Sequence, residues 1–222
     1  METFASQAAQ GETKPRRRQE ERRAETRMRL LDAAIDCISD LGVGATTTAA
    51  VARRAGLSEG ALFKHFPTKA TLLASAAESL YDRLLVNLRE RVAEVAGERN
   101  RLGALLCLMQ RDFSERELQA SCELQMLARH DAALRAALRP VLDRHWGRIV
   151  EVISGLFPEA AADRTRFILW LDMALCVLQG AAVAANVRAE PGEAADRLAY
   201  LEALSRGPLG PFEDEPEPQR PS

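Results

Sequence analysis

Residues Thr46 to Lys69 read TTTAAVARRAGLSEGALFKHFPTK, and the punctuation inside this stretch decides how the chain folds. Thr47 can accept an orphan backbone N–H at the start of a short helix that runs to Ala55, and Gly56 can end that helix in left-handed dihedrals. Ser58 supplies a second cap, for a helix over Glu59–Phe66 that must stop where Pro67 lacks an N–H and restricts the residue before it. Two short helices joined by a three-residue turn containing glycine form a helix-turn-helix pattern. Leu57, Leu62 and Phe66 can point inward. Ser58, Glu59, Gly60, Ala61, Phe63 and Lys64 are left on or near the open face of the second helix.

Working outward, the spacing of Met28, Leu31, Ile35 and Ile38 predicts a preceding helix over residues 21–41, stopped by Gly42. Ile35 and Ile38, with Val51 and Ala52, complete a small core. Downstream, Thr68 can cap a helix from Lys69 to Ala96, a rod of roughly 42 Å at 1.5 Å per residue. Further helical segments read at about 100–112, 114–129, 131–156, 159–188 and 192–205, with Pro140 expected to kink or break the third of them. Alanine, leucine, arginine and glutamate dominate while β-branched residues are sparse, so the fold class expected is all-α. The domain scheme is a disordered basic arm over 1–20, a helix-turn-helix domain over 21–68, a larger helical domain over 69–206 and a disordered acidic, proline-rich tail over 207–222.

The net charge of −2 over 222 residues conceals an asymmetry: Lys14–Lys69 holds twelve Lys/Arg against seven Asp/Glu. A basic N-terminal quarter on an acidic body suits contact with nucleic acid. The arm KPRRRQEERRAETR reads either as a solvated tail or as a segment that follows the minor groove or the phosphate backbone. Cys37, Cys107, Cys122 and Cys176 form no CxxC pair and are expected as reduced, buried thiols. No apolar run approaches the ~20 residues of a membrane helix, and no leader is evident, so a soluble cytoplasmic chain with no membrane partner is expected. No nucleotide-binding glycine loop, GxSxG or HExxH is present, and neither catalytic residues nor a metal or cofactor is expected.

The ordered set TT at Thr46–Thr47, VARRAG at Val51–Gly56, LSEGALFKHF at Leu57–Phe66 and PTK at Pro67–Lys69 resembles the DNA-binding domain of the tetracycline-repressor (TetR) family of transcriptional regulators. The match spans about Arg27 to Leu73. The resemblance implies an all-helical homodimer, a third helix that enters the major groove of a double-stranded DNA operator, and a C-terminal domain that binds a small molecule. Tyrosine is frequent in the family where Phe63 stands, so the chain lacks a phenolic hydroxyl there; isoleucine is common where Val51 stands, a conservative core change.

By this resemblance and by chemistry, Thr47 and Lys69 are phosphate candidates, with His65 beside them, while Lys64, Ser58, Gly60, Ala61 and Phe63 form the groove surface. Thr46, Thr48 and Arg27 are secondary backbone candidates. Leu105, Met109, Phe113, Met126, Trp146, Ile149, Trp170 and Met173 lie on apolar faces, and with His145 as a polar hook the resemblance makes them candidate lining of an effector cavity. Few charges fall among them, which suggests a mostly apolar or aromatic effector. The segment FILWLDMALCVLQGAAVAANV, apolar around much of its circumference, suits a two-fold helix bundle with the 192–205 helix; a buried central helix of a monomer is the alternative. The function expected is a homodimeric repressor released by its effector; an effector-independent or architectural DNA-binding protein is the alternative.

Overall fold

The computed structural model describes residues 13–187 and 193–212; side chains are described from Gln19 onward, except that of Glu193. Within this range the chain is all-helical, with nine α-helices and no strand. They are α1 (Thr13–Ala45), α2 (Thr48–Arg54), α3 (Glu59–His65), α4 (Lys69–Val95), α5 (Arg101–Ser114), α6 (Arg116–Ala128), α7 (Ala132–Leu156), α8 (Arg164–Ala185) and α9 (Glu193–Arg206).

The helices start and stop where side chains satisfy the ends. Thr47, Ser58, Asn100, Asp131 and Asp163 each accept a backbone N–H of the first turn of the helix that follows, and Thr68 with Thr71 makes a reciprocal capping box at α4. The helical path of α1 breaks at Gly42, whose φ of 75° lies in the region glycine tolerates. Two boundaries differ from expectation. The first helix begins at Thr13 rather than at Glu21, so part of the segment read as a disordered arm is helical; residues 1–12 lie outside the described range. The segment containing Pro140 is one helix without a break, the ring lying on an exposed face.

Three cores follow the length of the α4 rod. At one end, Leu30, Ala34, Val51, Leu62, Phe66, Leu72 and Ala76 bury the helix-turn-helix. In the middle, Ile38 and Val43 of α1 meet Leu73, Ala77 and Tyr81 of α4, Ala120 and Leu124 of α6, and Leu134, Leu138 and Val141 of α7. At the far end, α5, α7 and α8 enclose Leu105, Leu106, Ile153, Phe167 and Leu171. Burying a side chain of this size contributes about 1.5–3 kcal/mol, so the middle core ties the two ends into one body.

The beginning of the segment read as a disordered tail is packed instead. Phe212 stands edge-on to Phe157 and Trp170, at centroid distances of 4.9 and 4.6 Å. Arg166 donates to the carbonyls of Pro208 and Leu209, and a Cβ at Gly210 would overlap the carbonyl of Ser205. Residues 213–222, including the acidic cluster, lie outside the described range.

Along α8, Leu169, Met173, Val177 and Val183 are exposed, as are Tyr200 and Leu204 of α9. The expectation of no membrane-length apolar segment is corrected here: Arg164–Ala185, with a mean hydropathy of 1.9 in its most apolar window, is long and apolar enough to span. One face of the same helix is fixed in the far core through Phe167, Trp170, Leu171 and Ala174. The cysteines also part from expectation, since Cys37 and Cys122 are buried whereas Cys107 and Cys176 are exposed; all four are free.

Candidate nucleic-acid interface and ligand cavity

The turn between α2 and α3 is fixed from several sides. Gly56 takes φ 66°, Leu57 N–H donates to the Ala52 carbonyl at 2.9 Å, and Arg29 donates to the Ala55 carbonyl at 2.6 Å. Thr48 donates to Glu59 at 2.5 Å and so ties α2 to the first turn of α3. With Leu62 and Phe66 fully covered, α3 presents Gly60, Phe63 and Lys64 outward, with Ala61 half-buried beside them. Phe63 is 43% exposed, a large apolar ring on an otherwise small or charged surface.

The other sequence candidates divide. Thr47 and Ser58 are exposed while their hydroxyls cap Ala50 and Ala61. Lys69 is half-buried at the first turn of α4. His65 is half-buried against Phe66; burial, and then the charges of Arg23 and Arg27, push its pKa below the ordinary imidazole value, so at neutral pH it offers a neutral ring rather than a cation. Thr46 leaves the surface set: it is 1% exposed and donates to the Gly42 carbonyl at 2.8 Å, bracing the break in α1. Arg27 stacks on the Phe66 ring at 4.4 Å and donates to Ser75. Arg53, exposed in the last turn of α2, is a cation that periodicity alone gave no reason to single out.

A cavity of about 340 Å³ opens between α4, α5, α6, α7 and α8. Met109, Phe113, His145 and Ile149 line it, joined by Tyr81, Leu84, Leu88, Leu118, Leu142 and Leu175. The other five candidates stand elsewhere. Leu105, Trp170 and Trp146 belong to the far core, with the Trp170 indole donating to Ser205 at 2.7 Å, while Met126 and Met173 are 66% and 59% exposed. Helical periodicity separates inside from outside but cannot distinguish a filled interior from a hollow one.

The polar half of the cavity was not legible in the apolar spacing. Asn87, Ser121, Gln125 and Gln179 line it, together with Asp112, Glu115, Glu117 and Arg91. Arg91 and Asp112 form an ion pair. Gln125 is 3.5 Å from the Tyr81 hydroxyl, and the Tyr81 ring stacks on His145 at 4.3 Å. Among the described residues, the buried His145 Nδ1 has no hydrogen-bond partner. Its pKa falls to about 4, through burial first and the nearby Arg148 second, so the ring is neutral at pH 7. The cavity can thus hold an aromatic or alicyclic body along one wall and pair its polar groups along the other. Among the described residues, no group of three or more His, Cys, Asp or Glu side chains could hold a metal ion.

One helix belongs to both sites. Leu118, Ser121, Cys122 and Gln125 of α6 line the cavity, while Ala120 and Leu124 on its other face enter the middle core with α1. From that second face, the Glu123 carboxylate accepts the Val43 N–H at 2.9 Å, just past the break at Gly42. Arg116 donates to the Ser39 carbonyl at 2.9 Å and pairs with Asp40. Asp40 also holds Arg54 of α2 at 2.6 Å, and hydrogen bonds from Arg116 and Arg54 hold its carboxyl below the usual carboxylate range.

Residues 30–76 match the family model for bacterial regulatory proteins of the tetR family. Over 189 residues the chain is 33% identical to an HTH-type transcriptional regulator of Mycobacterium tuberculosis (strain H37Rv), covering 85% of this chain and 96% of that one. A transcriptional regulator of Streptomyces coelicolor A3(2) has a similar structure, with a TM-score of 0.62 at 23% identity over 81% of this chain and 98% of its own. The multidrug binding protein EbrR, solved with ethidium, has a TM-score of 0.56 at 21% identity, over 79% of this chain and 98% of its own. At that identity these two structures speak to the fold.

Proposed function

Because the chain belongs to the tetR family of bacterial regulatory proteins and is a transcriptional regulator with a DNA-binding helix-turn-helix, we propose that it is a homodimeric repressor released from its operator by a small molecule. In this reading α3 enters the major groove, with Lys64 towards guanine acceptors, Phe63 against a thymine methyl, and Gly60 and Ala61 allowing close approach. Thr47, Ser58 and Lys69 stand towards the phosphates. The exposed apolar faces of α8 and α9 meet their counterparts across a two-fold axis, and the dimer sets the two reading helices about 34 Å apart, one turn of the duplex. Such a protein works where the DNA lies, in the cytoplasm.

The observation that carries the reading is the double employment of α6. Its Leu118–Gln125 face lines the cavity, and its Arg116–Glu123 face holds the end of α1 and, through Asp40, the last turn of α2. A ligand that favours a different seat for α6 therefore favours a different seat for the helix-turn-helix. It need only bind the DNA-incompetent arrangement better, and couplings of this kind are typically about 1–3 kcal/mol. EbrR, a protein of the same fold, takes up ethidium, an aromatic cation, and the mixed apolar and acidic lining here gives ethidium a reason to be the first compound tried.

The test has three readings. Sites selected from random DNA by the full-length chain should be two-fold symmetric, and the chain should elute as a dimer. Compounds that raise its melting temperature, starting from ethidium, should weaken its hold on the selected site. Compounds that bind the cavity and leave DNA affinity unchanged would sink the release mechanism and favour an effector-independent protein; a reporter driven from the selected site distinguishes repression from activation.

A further inference from the structure

The N-terminal third of α1 reaches well beyond the helix-turn-helix core. Its first buried residue is Leu30, yet the helix starts at Thr13, leaving about 25 Å of helix, at 1.5 Å per residue, ahead of the core. Thr13–Arg29 carries eight Lys/Arg against three Glu. Nothing apolar in that stretch demands cover except Met28, which is itself half-exposed. Arg27 and Arg29 are held by Phe66, Ser75 and Ala55, whereas Gln19–Glu25 ahead of them are exposed.

Its position relative to the reading helix gives the charge a use. Arg27 stacks on Phe66, the residue that ends α3, and the charge of Arg23, one turn earlier, is felt at His65 in the last turn of α3. Positions 16, 23 and 27 fall on one stripe by helical periodicity, and positions 18, 22 and 29 on another. Arg22 and Arg23 are exposed. Glu20, Glu21 and Glu25 offset three of the eight positive charges of Thr13–Arg29 and leave a net of five.

We propose that the basic segment Thr13–Arg23 of α1 is a second DNA-contacting element, a helical rod that lies along the phosphate backbone flanking the site read by α3. This rests on the reading that α3 enters the groove, because the rod begins at the C-terminal end of α3, where a groove-bound helix meets the rim of phosphates. Charge complementarity names the occupant: a net positive helix of about 16 Å, the length of Thr13–Arg23, matches about five base steps at 3.4 Å each. Contacts to phosphate carry no sequence information, so the rod adds affinity without choosing the site.

The experiment compares the full-length chain with two versions of it in which Arg16, Arg17, Arg18, Arg22 and Arg23 are all changed, to Gln in one and to Lys in the other. Fluorescein-labelled 30-bp duplexes, one of random sequence and one carrying a selected site, are titrated by anisotropy from 50 to 300 mM KCl. Removing one phosphate interaction reduces the steepness of log affinity against log salt by about 0.9. The Gln version should be shallower by about 2–4 on both duplexes, with the ratio of selected-site to random affinity changed less than about threefold. The Lys version should keep the wild-type slope. Far-UV circular dichroism and the melting temperature confirm that all three fold alike.

A Gln version shallower by less than about 1, a Lys version as shallow as the Gln version, or a weakening confined to the selected site would overturn the proposal. So would capture of the wild type, but not of the Gln version, on phosphatidylglycerol vesicles at 150 mM KCl with no change in DNA slope, since the occupant would then be a membrane. Failure of the underlying reading looks different: the wild type would select no site, or Lys64→Ala would leave the selected-site preference intact.

Discussion

Replacing Glu123 by Ala removes the carboxylate that accepts the Val43 N–H at 2.9 Å and leaves that amide, just past the Gly42 break, without its partner. A buried donor left unpaired costs about 1–3 kcal/mol, and a hydrogen bond to a charged group contributes in the upper part of that range. The bond is only partly buried; water can reach the amide in the variant, and about 1–2 kcal/mol is the figure to expect. For a chain of 222 residues each kcal/mol moves the melting temperature by about 2–4 °C, so Glu123→Ala should melt about 2–8 °C below wild type. Glu123→Gln retains an oxygen that can accept and should lose less than about 1 kcal/mol. Scanning calorimetry at one fixed protomer concentration measures both. If Glu123→Ala melts within about 1 °C of wild type, or if the Gln and Ala variants are equally destabilised, the bond does not anchor α1 to α6. Operator affinity supplies a second reading, since the same bond fixes the turn that leads into Thr47: it should fall more for Ala than for Gln.

Acid should weaken the fold through His145. Its folded pKa of about 4 lies below the unfolded value of 6.5, so the unfolded state binds the proton first, and the stability that the neutral ring contributes is whole above pH 6.5 and lost as pH falls towards 4; the loss is about 2–3 kcal/mol. Urea midpoints between pH 7 and pH 4 should show that fall, and His145→Phe, which retains a ring against Tyr81, should flatten it. Phe212→Ala should cost about 2 kcal/mol, less than a fully buried phenylalanine because the ring is half-covered, and Gly210→Val, by preventing the segment from seating against Ser205, should cost as much; equal melting of either variant and wild type would remove the segment from the core. Met173→Lys puts a charge in the centre of the exposed α8 stripe and should shift the chain from dimer to monomer in light scattering at micromolar concentration; a dimer unchanged in dissociation constant would place the two-fold interface elsewhere.

The helix-turn-helix was legible because its information is local. Thr47, Gly56, Ser58 and Pro67 each fix a boundary through their own chemistry, and the structure uses the first three as the sequence suggests. Phe63 outward and Phe66 inward followed from periodicity alone, and the structure agrees. Thr46 misled because a hydroxyl next to a good cap looks equally available, while its fate depends on the Gly42 carbonyl brought back by the break in α1. The cavity was legible only in part. Met109 and Phe113 share a helix face with Leu105, but a void exists where several helices fail to meet, and that depends on pairs remote in sequence such as Tyr81 and His145. Charged residues entered the cavity for the same reason: Arg91 and Asp112 satisfy one another across two helices, which no single-helix pattern records.

The two faces of α6 have a consequence for how such a regulator can be altered. Leu118, Ser121, Cys122 and Gln125 line the cavity, Gln125 also reaching the Tyr81 hydroxyl, whereas Arg116, Ala120, Glu123 and Leu124 meet α1 or its neighbours in the middle core. Because a helix separates these sets by about half a turn, the first can be randomised to recognise a new compound while the second is held constant. On the release mechanism proposed above, a biosensor library built on this chain would accordingly vary the cavity-facing positions alone.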